Sequence, residues 1–145
     1  MKPFEAPELM PAFPEIFLAL VTMCLLVFGV SRKKDDSATV AHFSIFALLA
    51  VAVVVLRFSA ENMTTFNGMF ITDAFAVYMK LIVLMGSAVT IFMSSRYAHS
   101  QRIARFEYPV LVMFSTLGMM LMISANDLMS LYIAIELQSL PLYVL

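Results

Sequence analysis

The chain has 145 residues, of which 62% are hydrophobic and 13% charged, and its formal net charge is −1. Soluble domains average about 45–50% apolar and about 25% charged residues, so this composition excludes an ordinary water-soluble domain. The near-neutral charge gives no reason to expect nucleic-acid binding, and the single cysteine, Cys24, excludes an internal disulfide. The composition indicates an integral membrane protein.

Apolar segments recur along the whole chain and are separated by short polar clusters. A helix needs about 20 residues to cross about 30 Å of hydrocarbon. Backbone in lipid must satisfy its own hydrogen bonds, and the lack of alternating polarity favours helices over barrel strands. We therefore predict an all-α protein with five transmembrane helices, near residues 14–30, 40–58, 72–93, 108–124 and 128–145, after a tail of residues 1–13.

Polar residues between these segments support their limits. Pro14 and Glu15 suit the first turn of a helix, where a missing N–H is harmless and a negative charge meets the positive end of the dipole. The Asn67-Gly68 pair predicts a type I′ turn of a small hairpin between the second and third segments. Asn126-Asp127 predicts the N-cap of the fifth helix.

Basic residues concentrate in the first and third loops. Those two loops contain six of them: Arg32, Lys33, Lys34, Arg96, Arg102 and Arg105. The N-terminal tail and the second loop have one each, Lys2 and Arg57. Because short cytoplasmic loops are enriched in Lys and Arg, we predict that the first and third loops are cytoplasmic and that the N-terminal tail is extracytoplasmic.

The chain stops at Leu145 inside an apolar segment, without a closing polar cluster. We therefore expect the chain to be the front part of a longer protein, truncated within its fifth helix.

Two charged residues, Lys80 and Glu136, lie near the middle of the third and fifth segments. A charge there costs at least about 2.5–3.5 kcal/mol on insertion scales. Residues retained at that cost usually face a protein interior or a water-filled cavity, and they often carry ions or protons. Both are therefore candidate proton sites.

Glu136 shares one helical face with Tyr132, Ser139 and Tyr143, at i−4, i+3 and i+7. Pro141 removes a helical N–H, which frees the carbonyl of Leu137 and predicts a kink. A carboxyl group beside a free carbonyl is suited to ordered water and to proton exchange. The alternative is a helix-packing contact by a permanently protonated Glu136.

Lys80 shares its face with Asp73 and Ser87. The third and fifth helices run in the same direction, so Lys80 and Glu136 lie at similar depth, and a pair between them is one of two interpretations that the sequence leaves open. The alternative is that Lys80 snorkels toward an interface.

No motif for redox or hydrolytic chemistry is found, and no cofactor or metal site is expected in this chain. The thirteen methionines are better explained as packing or lipid-facing side chains than as metal ligands. His42 and His99 are too far apart to predict a bis-histidine haem site.

The segment Tyr108–Leu145 resembles the fourth and fifth helices of subunit N of the bacterial proton-translocating NADH:quinone oxidoreductase, respiratory complex I. It is similar also to the mitochondrially encoded subunit 2. The most specific stretch is Glu136–Leu145, with the sequence ELQSLPLYVL. Weaker support comes from four other stretches, at residues 14–16, 73–80, 117–120 and 124–128.

The resemblance implies an antiporter-like fold of about fourteen helices built on two inverted repeats, of which this chain is the N-terminal part. It implies a role in proton translocation coupled to electron transfer from NADH to quinone, in which Glu136 pairs with a lysine of the seventh helix. It further implies a bacterial inner membrane with a periplasmic N-terminus, other membrane subunits and lipid as partners, and NADH, FMN, iron–sulfur clusters and quinone bound by partner subunits.

Two other functions remain open from the residues. One is a subunit of an Mrp-type or hydrogenase-associated cation/proton antiporter, whose related subunits also have an acidic residue at this position. The other is a noncatalytic membrane scaffold, in which Glu136 only orders the packing of helices.

Overall fold

The computed structural model describes residues 13–31, 37–57, 63–65, 70–101 and 107–144. These residues form five helices and two short strands: α1 (Phe13–Ser31), α2 (Ser37–Arg57), β1 (Met63–Thr65), β2 (Phe70–Thr72), α3 (Ala74–Gln101), α4 (Glu107–Ser124) and α5 (Leu128–Val144). The expected fold with five helices is confirmed. The third helix continues to Gln101, past its expected end near residue 93, because the polar residues after Met93 include neither Gly nor Pro and so do not interrupt it.

A small antiparallel hairpin connects α2 to α3. Met63 pairs with Thr72, Thr64 with Ile71 and Thr65 with Phe70. The hairpin expected between the second and third segments is therefore confirmed. Its predicted turn, Asn67-Gly68, lies outside the described residues.

The first four helices form a ring in chain order. α1 contacts α2 and α4, and α3 also contacts α2 and α4, while α2 and α4 touch each other across the short diagonal. α1 and α3 lie on the long diagonal, where none of their described Cα atoms come within 8 Å of each other. We call this ring of four helices the α1–α4 bundle. Its interior contains the buried core.

The buried face of α1 has a regular spacing. Pro14 is buried, and from Glu15 onward the buried residues recur at intervals of three and four, which is the pattern of one helix face: Glu15, Leu18, Thr22, Leu25 and Gly29. Buried hydroxyl groups bond within their own helices, with Thr22 donating to the Leu18 carbonyl at 2.7 Å and Ser44 to the Val40 carbonyl at 2.8 Å. These bonds allow polar residues inside the bundle without unpaired hydroxyls at those positions.

α5 packs against the outside of the bundle, on α4. The closest approach is at Gly118, where a Cβ atom would lie 2.5 Å from the backbone nitrogen of Gln138 and 2.8 Å from its Cα. A glycine at this position lets the two backbones meet, as small residues do between membrane helices.

The outer faces of the helices expose large hydrophobic side chains, including Leu20, Val27, Phe46 and Phe75. Four helices, α1 to α4, are long and apolar enough to cross a membrane, and α5 is a shorter apolar helix of 17 residues. The chain is a multi-pass membrane protein. Most of the basic loop residues on which the predicted orientation depends lie outside the described residues: Lys2, Arg32, Lys33, Lys34, Arg102 and Arg105.

Candidate functional site

Lys80 lies in the interior of the α1–α4 bundle. Its side chain is 1% exposed, and its Nζ forms an ion pair with Oε1 of Glu15, a side chain that is 3% exposed. The alternative in which Lys80 snorkels toward an interface is therefore wrong. The bundle instead holds a cation and an anion together, away from its lipid-facing surface.

Local structure sets the positions of both partners. Glu15 lies in the first turn of α1. α3 begins after Asp73, whose Oδ1 accepts a hydrogen bond from the Ala76 N–H at 2.7 Å, as an N-cap does. Lys80 follows Ala74 by six residues, or about 9 Å along the helix axis. The cap therefore fixes how deep Lys80 lies.

The ion pair joins the two helices that the backbone keeps apart. α1 and α3 lie at opposite ends of the long diagonal of the bundle, so contact between them needs long side chains. Glu15 and Lys80 make such a contact. Removing one partner of a buried ion pair costs about 3–5 kcal/mol, whereas replacing both partners with apolar residues is often neutral or stabilising. Packing alone does not explain why charges are placed here.

Lys80 belongs to a polar row that follows one face of α3. Asp73, Lys80, Ser87 and Ser94 recur every seven residues, which places them on the same side of the helix. We call these four residues the α3 polar face. From the first to the last they extend about 31 Å at 1.5 Å per residue, which is close to the thickness of a bilayer's hydrocarbon core.

The last two members of the α3 polar face bond to α4. The hydroxyl oxygens of Ser87 and Thr116 lie 2.7 Å apart, and Thr116 Oγ1 lies 2.8 Å from the Val112 carbonyl oxygen. Ser94 donates to the hydroxyl of Tyr108 at 3.0 Å. Each of the four residues thus has a polar partner, whereas most side chains in the bundle interior make apolar contacts.

Glu136 lies on an exposed face of α5. Its neighbours Tyr132 and Tyr143 are 64% and 83% exposed, and Ser139 is half-buried. The predicted polar face is therefore directed largely away from α4. A carboxyl group on such a face does not remain in contact with hydrocarbon at low cost, so this face fits contact with protein or water.

The interpretation in which Lys80 pairs with Glu136 is wrong. Lys80 pairs with Glu15, and α5 contacts α4 but not α3 among the described helices. α4 contacts both α3 and α5 and so separates the two residues. Pro141 is buried within α5, which continues to Val144; the kink at Pro141 stays a prediction.

Glu15 is not among the site residues predicted from the sequence, because a glutamate in a first helical turn has a sufficient local explanation. A second signal was present. Glu15, Thr22 and Gly29 follow the same seven-residue spacing as the polar row of α3, and all three are buried. Matching spacings in two apolar helices indicate faces directed at a common interior.

No group of three or more His, Cys, Asp or Glu side chains that could hold a metal ion occurs among the residues that the structure describes. Cys24 is a free, exposed thiol on α1.

Comparison with known proteins gives relatives along nearly the entire chain, although no family model matches. The chain is 51% identical over 138 residues to NADH-quinone oxidoreductase subunit N of Paramagnetospirillum magneticum, which covers 95% of this chain and 28% of that protein. It is 46% identical over 144 residues to subunit N of Rhodospirillum rubrum, with coverage of 98% and 30%.

The resemblance to subunit N is confirmed. The similarity covers 95% of the chain, and so it extends far beyond the segment Tyr108–Leu145 on which the predicted resemblance was based. A solved structure of respiratory complex I from Thermus thermophilus with bound aureothin has the same fold, with a TM-score of 0.76 and 24% sequence identity over 90% of this chain and 28% of that chain. The chain spans less than a third of the length of these subunit N relatives.

Proposed function

We propose that this chain is part of a membrane-arm subunit of a proton-translocating NADH:quinone oxidoreductase, and that it takes part in proton translocation. The observation that carries the proposal is the identity of 51% over 138 residues to a subunit N. In this role the chain performs no redox step itself, because electron transfer from NADH to quinone takes place in other subunits, which hold the FMN and iron–sulfur clusters.

Glu136 is the proposed proton site of α5. Its exposed position beside Tyr132 and Tyr143 supports this role, since an acid on an outward face of a membrane helix needs a polar partner from outside the described helices. We propose that a cation of another part of the subunit faces it. Ser139, half-buried on the same face, supplies a hydroxyl group that can bond to water near the carboxyl group.

The proposed setting is a bacterial inner membrane with the N-terminus on the periplasmic side. The partners are the other membrane subunits of the same complex and the surrounding lipid. The apolar outer faces of α1 to α4 and the excess of basic residues in the first and third loops support this arrangement.

The test is Glu136→Gln in the full-length subunit, within the purified complex reconstituted into vesicles. Gln preserves the volume and hydrogen bonding of the side chain, but it does not exchange a proton or hold negative charge. We expect assembled complex with reduced acidification of the vesicle interior, and slower NADH oxidation as far as the two are coupled. Glu136→Asp should retain part of the activity, because the acid remains and only its reach is shortened.

The matched control is Glu107→Gln, which changes an exposed glutamate in the first turn of α4 and should leave acidification unchanged. Normal acidification by an assembled Glu136→Gln complex would refute the proton-site role and support a scaffold. Isolation of the full-length subunit without flavin and iron–sulfur partners would support a cation/proton antiporter instead.

A further inference from the structure

A buried ion pair lies inside the α1–α4 bundle. Glu15 and Lys80 connect two helices whose described Cα atoms do not come within 8 Å. α1 and α3 each pack on α2 and α4, so the bundle is held together without the pair. A charge placed where packing does not need it, inside a membrane protein, is by default a candidate functional group.

We propose that the Glu15–Lys80 pair is a proton-binding site inside the bundle, separate from Glu136. The site takes one proton from a hydronium ion or water at one membrane surface. This inference rests on the proposed function for the net movement of protons, but the binding of a proton at Glu15 is measured independently of it.

The geometry of the carboxylate supports the proposal. Oε1 of Glu15 faces the ammonium group of Lys80. Oε2 is buried and receives no hydrogen bond from another residue of the described segments. A proton that arrives at Oε2 forms the O–H bond of a neutral carboxylic acid, and the Lys80 ammonium group keeps its own three protons. Loss of that proton to water restores the ion pair.

The other charged groups of the described helices lie mainly at exposed positions. Glu15 and Lys80 are the buried charged residues among those that the structure describes. Asp73, one step earlier on the α3 polar face, is half-buried and caps α3. The charged or titratable residues of the two helices packed beside the pair lie elsewhere: His42 and Arg57 of α2 and Glu107 of α4 are exposed, and Tyr108 of α4 bonds to Ser94.

The α3 polar face offers a route from the site toward both ends of the bundle. Asp73, which is half-buried, lies before Lys80 at the start of α3. The bonded hydroxyls of Ser87 and Thr116 lie beyond Lys80, in the direction of the end of α3. Adjacent members of the row are about 10 Å apart along the axis. Ordered waters between them would complete a chain of hydrogen bonds of the kind that polar groups in protein interiors support.

The experiment is infrared difference spectroscopy of the purified complex with the full-length subunit, recorded while the pH is stepped. A protonated carboxyl group has a carbonyl stretching band that a carboxylate lacks. We expect a carboxyl band in the wild-type complex that Glu15→Gln removes and Glu15→Asp moves to a different frequency. Lys80→Met should change the pH at which the band appears, because it removes the facing ammonium group.

Glu107→Gln, at the exposed start of α4, serves as the control and should leave that band in place. If no band depends on the residue at position 15 at any pH at which the complex is intact, the pair is only a structural contact and the proposal is overturned. Because Glu15→Asp keeps the acid, the test stands even if Glu15→Gln does not assemble.

Proton translocation gives a second readout. Glu15→Gln combined with Lys80→Gln leaves a neutral pair that can still bond across the bundle, so a structural role predicts normal vesicle acidification. The proton-site role predicts a severalfold loss in assembled complex, and normal acidification contradicts it. Normal acidification by Glu136→Gln together with a Glu15-dependent band would refute the proposed role of Glu136 and leave this site standing.

Discussion

Individual hydroxyl groups hold α3 and α4 in register inside the bundle. A hydroxyl has one proton, so one arrangement satisfies both short contacts of Thr116: it donates to the Val112 carbonyl and accepts from Ser87. The Ser87–Thr116 bond then joins two helices through side chains that are both buried. Bonds of this kind between membrane helices have a modest net value, about 0.6 kcal/mol on average.

We expect a double-mutant cycle of Ser87→Ala and Thr116→Val to give a coupling free energy of about 0.6 kcal/mol, in favour of the native pair. The measurement is the free energy of unfolding of the full-length subunit in detergent. Thr90→Val is the control, because Thr90 is exposed on α3 and bonds to the Gly86 carbonyl of its own helix; it should show no coupling to Thr116. A coupling near zero for the buried pair would contradict the bond.

Among the helices, the position of α5 depends on its close approach to α4 at Gly118. Gly118 leaves room for the backbone of Gln138, and Glu136 lies only two residues before that contact. The position of the proposed proton site therefore depends on a glycine of a neighbouring helix. The two helices must separate if a side chain is placed there, because the nearest atoms belong to backbone that has no rotamer to change.

Gly118→Ala should destabilise the α4–α5 contact by about 1–3 kcal/mol, the usual cost of overpacking. The matched control is Gly86→Ala on α3, where an added Cβ has no described atom within 4 Å. That change should stabilise the protein by up to about 1 kcal/mol through helix propensity. Thermal denaturation of the complex with the full-length subunit measures both, and a Gly118→Ala variant as stable as Gly86→Ala would contradict the close packing.

At the scale of the whole molecule, the described helices form a four-helix ring with a fifth helix outside it. Connections of five or fewer residues join α1 to α2, α3 to α4 and α4 to α5, and the hairpin segment joins α2 to α3, so neighbouring helices run antiparallel. The beginning of α1, the hairpin and the α4–α5 turn therefore lie at one end, and the end of α3 lies at the other. The ion pair lies nearer the first end, since Glu15 is in the first turn of α1 and Lys80 in the second turn of α3.

The orientation of this molecule in the membrane is a prediction from the six basic residues of the first and third loops. In a background without Cys24, a cysteine at Ser100 should react with an impermeant thiol reagent only from the cytoplasmic side. A cysteine at Asp127, which lies exposed between α4 and α5, should react only from the other side. The opposite labelling pattern would show that the helices cross in the reverse direction.

The five helices, the hairpin and the resemblance to subunit N could all be predicted from the sequence. Helix positions follow from the lengths of the apolar segments, which are a local property of the sequence. A run of about 20 apolar residues is long enough to cross a membrane whatever surrounds it. The resemblance was also local, because Glu136–Leu145 carries its specific residues within one helix. The end of α3 was less predictable, since polar residues with adequate helix propensity continue a helix beyond the apolar run.

The partner of Lys80 could not be predicted from the sequence. Glu15 and Glu136 both lie within predicted apolar helices, but only Glu136 was predicted at the depth of Lys80, and depth is all that a linear pattern of apolar residues reports. Which of them faces Lys80 depends on the order of helices around the ring, which puts α1 across from α3 and leaves α5 behind α4. That order arises from contacts among side chains of distant segments, so no single stretch of the sequence contains it.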